Sequence, residues 1–174
     1  MKSKHPDVLV TATLPSPLSD RFSGREAFEN LVRRAFVDAA REGWQEIILS
    51  DASFEDWPLH ERAVVDSLHA WAGSGRRMIL LASSYDAVIR NQARFVSWRK
   101  TWGHILDCRV CRTVSPADLP SVIWSRNWYM HRQDFSRSIG ASGCNPERLR
   151  RIREMLDEKI RISSPGFVIS TLGL

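Results

Sequence analysis

The stretch WQEIILSDASFEDWPL, Trp44 to Leu59, decides how the rest of the chain is read. Its apolar run Ile47–Leu49 is too short for a helix and fits a strand buried on both faces. Ser50 and Asp51 then open a loop that carries Glu55, Asp56 and Trp57 and closes on Pro58. A buried strand running into an acidic, aromatic loop matches the carboxyl end of a parallel strand, where open α/β sheets hold their ligands.

Upstream, SGRE predicts a helix start, with Ser23 as N-cap and Glu26 completing a capping box. Ala27, Phe28, Leu31, Val32, Ala35, Phe36 and Ala39 continue at helical spacing, and Gly43 marks the stop. Downstream, a second helix is predicted over roughly His60 to Ala72 and a second strand over RMILLAS. A third helix over SYDAVIRNQARFVSWRKTW leads to a third strand in HILDCRVCRTV. SVIW and WYMH around the polar turn SRN read as a hairpin. The last helix starts at Asn145 as cap with Pro146 in first position, and Leu149, Ile152, Leu156 and Ile160 line its inner face. The order α-β-α-β-α-β-β-β-α implies an α/β three-layer sandwich: a mixed, mostly parallel sheet flanked by helices on both faces. Residues 1–20 read as an irregular arm, 21–162 as a single domain and 163–174 as an apolar tail that docks on the body or on another copy.

With 174 residues, 43% of them apolar, the chain can bury the core of one domain. No secretory signal and no apolar run of bilayer length is present, so a cytoplasmic protein is expected. Cys108, Cys111 and Cys144 are too few for a disulfide framework. Cys108 and Cys111 have C-x-x-C spacing with His104 upstream, but on a strand they face opposite sides, which argues for structural thiols and no metal. No cofactor is expected. The phosphate loop, the dinucleotide fingerprint and the serine-hydrolase elbow are all absent, which removes those three chemistries as leading readings.

The net charge of +5 is unevenly spread. Residues 20–69 carry six arginines against eleven carboxylates, whereas 121–153 carry seven arginines against two. A basic second half suits an anionic ligand, although the two halves can also neutralise one another across the fold or a dimer contact. In RNQARFVSWRK, Arg94 is the leading nucleic-acid contact, since positions 90, 94 and 97–98 share a helical face. Asp51 and Trp57 are the ligand candidates of the first strand's loop, and Arg126 that of the hairpin turn. Most of the seven tryptophans fall at apolar positions, where packing explains them.

In WYMHRQDFSRSIG, Trp128 to Gly140, His131 is the one weak catalytic candidate, and Arg132, Gln133 and Arg137 are phosphate contacts beside it. The element order together with this segment resembles one half of the phospholipase D superfamily, whose motif is H-x-K-x4-D. EIILSDASFEDWPL and the ARFVSW helix look like an uncharacterised bacterial family with that fold, over roughly Phe22 to Ile160. The resemblance implies a histidine that attacks phosphorus, a lysine that neutralises the phosphate oxygens and a second chain that completes the site. Here His131 takes the histidine position, but Gln133 replaces the lysine and Ser138 the aspartate. The expectation is therefore a non-catalytic phospholipase D-like domain, homodimeric, that binds phosphate-bearing ligands or nucleic acid. A dimeric phosphodiesterase using His131 and a domain for protein contacts alone are the alternatives.

Overall fold

The apolar run Ile47–Leu49 lies at the centre of the molecule, in strand β2 (Glu46–Ser50), and each of its three side chains is fully buried. Burial of that kind is worth roughly 1.5–3 kcal/mol per side chain, which is why so short a segment can anchor a sheet. The computed structural model describes residues 20–167. The expected arm, apart from Asp20, lies outside the described residues, as do residues 168–174 of the expected tail.

Around β2 the chain forms β1 (Asp20–Phe22), α1 (Arg25–Glu42), α2 (Arg62–Trp71), β3 (Arg77–Ala82), α3 (Asp86–Asn91) and α4 (Ala93–Trp102). It continues through β4 (Leu106–Val110), β5 (Ser121–Trp124), β6 (Tyr129–Asp134), β7 (Ile139–Gly143), α5 (Pro146–Ile162) and β8 (Ser164–Pro165). The eight strands among the described residues make one sheet in the order β1-β7-β6-β5-β2-β3-β4-β8. The α/β class holds, but the sheet is not mostly parallel. Only β2–β3 and β3–β4 pair in parallel, through the α2 and α3–α4 crossovers, and the other five pairings are antiparallel. The excess comes from the β5–β6–β7 meander, whose short turns make antiparallel pairs, and from β2–β5, β1–β7 and β4–β8, which join segments far apart in sequence. No helix among the described residues is long and apolar enough to cross a membrane.

One face of the sheet packs on α1 to α4 around Phe28, Trp57, Trp71 and Trp98. The other carries α5 alone, whose Leu149, Ile152 and Leu156 meet Ile48, Ile79, Val122, Trp124 and Tyr129. Asn145 caps α5 as expected, its side chain accepting the Arg148 N–H at 3.0 Å. Two local expectations need correction. The capping box at Ser23 does not form, because α1 starts at Gly24 with φ 95°, whose N–H donates to the Arg137 and Ser138 carbonyls. The single third helix is two, broken at Gln92, whose amide donates to the Phe54 (2.7 Å) and Trp57 (3.2 Å) carbonyls and ties the 51–59 loop down.

Helices α1 and α2 are clasped by Arg33, which donates to both Glu61 oxygens at 2.6 and 2.8 Å. The hydrogen bonds from Arg33 hold the Glu61 carboxyl below its ordinary pKa. Its stabilisation is therefore complete above the ordinary carboxyl range and is lost as pH falls through the lowered value. Glu61→Gln is expected to cost about 1 kcal/mol in urea denaturation at pH 7, and the gap between variant and wild type closes in acid.

Candidate functional site

Strand β6 presents its side chains alternately to the two faces of the sheet, and this divides the candidate residues into two groups. On the α1 face the register sets Ser121 beside Arg132 and places Asp51, just past β2, next in the same row. Arg132 is 2% exposed and Asp51 is 0% exposed. The Arg132 guanidinium donates to Asp51 at 3.0 Å, to Asp56 at 2.5 and 3.1 Å and to the Ser121 hydroxyl at 3.1 Å. Ser121 donates in turn to Asp51 at 2.7 Å, and the second Asp51 oxygen accepts the Ser53 and Phe54 N–H groups. The Phe28 and Phe135 ring centroids each lie 4.0 Å from the guanidinium carbon. These contacts satisfy a buried ion cluster, which pins the 51–56 loop to β5 and β6.

On the opposite face, Tyr129, His131 and Gln133 line a groove of about 280 Å³ with Ala141 of β7 and Arg148, Arg151, Ile152 and Met155 of α5. Gln133 reaches it through a β-bulge: Arg132 pairs with Gly140 and Asp134 with Ile139, leaving Gln133 as the extra residue. Burial holds the His131 imidazole below the ordinary histidine pKa, and the Arg148 guanidinium adds to that effect. Arg151 is paired with Glu147 at 2.6 Å, whereas Arg148 makes no ion pair among the described residues. Among the described residues, the groove therefore has an apolar floor, one uncommitted cation and an uncharged imidazole, and no carboxylate lines it.

Of the eight ligand-contact candidates, the structure brings only His131 and Gln133 together in one open site. Asp51 and Arg132 are core groups paired with one another, and Trp57, 1% exposed, packs edge-on against Phe28 and Phe54. None of these three is presented to a ligand. Arg94 is exposed on α4, where it donates to the His60 carbonyl at 3.0 Å. Arg137 lies in the β6–β7 turn, at one end of the hairpin strands. Arg126 lies in the β5–β6 turn at the other end, where it lines a hollow of about 220 Å³ with Glu42 and Glu46 and a second of about 430 Å³ with Arg150, Arg153 and Glu154. Cys108 faces Arg99 of α4, and Cys111 faces Lys159 of α5.

Arg148 and Arg151 are the groove residues that sequence reasoning passed over. Their signal was present: they flank the apolar stripe Leu149, Ile152 and Leu156 on the helix that follows the histidine strand.

No protein-family model matches the sequence, and no curated protein matches it. Among solved structures the chain is similar to TrmBL2, an archaeal chromatin protein whose structure shows a novel mode of DNA binding. The TM-score is 0.62 at 12% identity, over 91% of this chain and 57% of TrmBL2. The likeness is one of fold. At this identity it leaves the groove residues to be judged on their own chemistry.

Proposed function

We propose that the chain is a phospholipase D-like domain that binds phosphate-bearing ligands, nucleic acid among them, in the β6–α5 groove without turning them over. The observation that carries this reading is the pairing of half-buried His131 with the uncommitted Arg148 at a groove free of carboxylates. A guanidinium with open donors and a neighbouring imidazole and amide suit a phosphate oxygen. Gln133 stands where the resembled family has its lysine, and it cannot neutralise charge as a transition state develops. Ser138 stands where that family has its aspartate; it is buried in the β6–β7 turn, with φ 50°. No second histidine lines the groove among the described residues. The TrmBL2-like fold supports nucleic acid as one member of the ligand class.

Titrating a labelled DNA oligonucleotide at low salt tests the site. Arg148→Ala is expected to weaken binding about fivefold or more and to flatten the salt dependence. Unchanged affinity in both Arg148→Ala and His131→Ala would place the ligand elsewhere. Binding of the oligonucleotide, whose phosphodiesters stay singly charged throughout, should tighten as pH falls, because His131, neutral above its lowered pKa, then gains a charge. His131→Ala removes that pH dependence. Turnover of a phosphodiester that is lost in His131→Ala would instead establish the dimeric phosphodiesterase, and sedimentation would then have to show a dimer.

A further inference from the structure

After α5 the chain crosses the β4 edge as a short strap. Arg109 holds its start, donating to the Ser163 hydroxyl at 2.7 Å and the Ser163 carbonyl at 2.9 Å. β8 pairs with Arg109 and Val110, and the Gly166 N–H donates to the Cys108 carbonyl at 2.9 Å. A Cβ at residue 166 would overlap the Val110 side chain, so only glycine passes there. The strap thereby delivers Phe167 to the α4 face. Its ring stacks on Tyr85 with centroids 4.7 Å apart, and the Arg99 guanidinium carbon lies 4.1 Å from the same centroid. The Tyr85 hydroxyl is fixed between the Leu80 and Arg109 carbonyls at 3.0 Å each, so this wall of the slot is rigid.

Arg99 is the unusual group. It is 9% exposed, and its donors reach the Cys108 sulfur at 3.2 Å and the Phe167 carbonyl. Burial pushes the Cys108 thiol up, so both partners are neutral. Among the described residues no carboxylate pairs with Arg99, and Asp107 is committed to Arg109 at 3.6 Å. Arg132, the other deeply buried arginine, has two carboxylates. Among the described residues this sequestered cation meets only neutral acceptors, which leaves it under-compensated there. Phe167 also has φ 52°, a left-handed conformation that bulky residues rarely adopt. The occupant of the slot therefore fits it imperfectly in both charge and backbone.

We infer that the Tyr85–Arg99 slot is a binding site for a small aromatic carboxylate, with Phe167 as the chain's own removable plug. The ligand's ring takes the place of the Phe167 ring on Tyr85, and its carboxylate takes the place of the Phe167 carbonyl on Arg99. The slot follows the carboxyl end of β3, the end at which parallel strands present ligand sites. It is independent of the His131 groove.

The test titrates the full chain with 3-phenylpropionate and with its neutral counterpart 3-phenylpropanamide. The acid is expected to bind and the amide not. Phe167→Ala should bind the acid about tenfold tighter, because the open slot no longer has to be won from the strap. Adding Arg99→Met to that variant should abolish binding. In the wild-type chain, where no folding question arises, the acid should speed hydrogen exchange at the Gly166 amide as the strap lifts. Equal affinity for acid and amide, or no gain in Phe167→Ala, would overturn the assignment. So would saturation of the wild-type chain with Gly166 exchange unchanged, or no binding of the acid to either protein.

Discussion

Arg132→Met is expected to lower the unfolding free energy by about 3–5 kcal/mol, the largest effect of any single substitution considered. Methionine fills much of the arginine's volume between Phe28 and Phe135, so packing is largely preserved and the loss is electrostatic. It leaves the fully buried Asp51 carboxylate with only the Ser121 hydroxyl and two backbone N–H groups, and it releases Asp56. Urea denaturation of the variant gives the loss directly, and the Asp51→Asn single variant together with the Asp51→Asn, Arg132→Met double variant gives the coupling. Because an unpaired charge accounts for most of the cost, the double variant should recover part of it. A loss below about 1 kcal/mol in the single variant would show that the cluster does not hold the sheet together.

Gly140→Ala is expected to cost about 3 kcal/mol, near the upper end of what one added methyl group does to a packed core. Its Cβ would overlap the His131 carbonyl oxygen and the Phe22 ring and would lie 2.8 Å from the Arg132 Cα. Two of those obstacles are backbone atoms of the neighbouring strand, so no rotamer change relieves them. The bulge beside it must shift, and with it the placement of Gln133 in the groove. Phosphate affinity should therefore fall together with stability. Gly73→Ala is the control, since nothing lies within 4 Å of the Cβ it would add, and it should be nearly neutral. Similar thermal unfolding of the two variants would mean that the β6–β7 contact is looser than described.

The parts of the fold legible in the sequence are those with strong periodic or punctuating signals. The runs at Ile47–Leu49 and Met78–Leu81, the Gly43 stop with φ 68° and the Asn145–Pro146 start of α5 were all identifiable before any coordinates. β1, β7 and β8 were not. IGASG has too little apolar bulk for alternation to show, and the other two are only three and two residues long. Missing those strands hid three antiparallel pairings, and the antiparallel seating of β5 on β2 was a fourth that spacing did not show. At the candidate site, alternation along β6 puts His131 and Arg132 on opposite faces, and composition could not tell that Arg132 points at Asp51. That depends on a register between segments 81 residues apart. Arg148 and Arg151 had a signal in the apolar stripe they flank on α5, but which strand that stripe packs on is set by contacts between elements and not by spacing within one.

The strand order also imposes a timetable on the chain. β2, β3 and β4 join neighbours close in sequence, but β1 must wait for β7, since Phe22 faces Gly140. Asp51 and Asp56 likewise stay hydrated at the open side of β2 until Arg132 arrives on β6. Contacts of such long range close late and slowly, because the intervening loop must first give up its entropy. On a ribosome, the half of the sheet made first therefore emerges with an unzipped flank and two waiting acids, and only the last third of the polypeptide locks it.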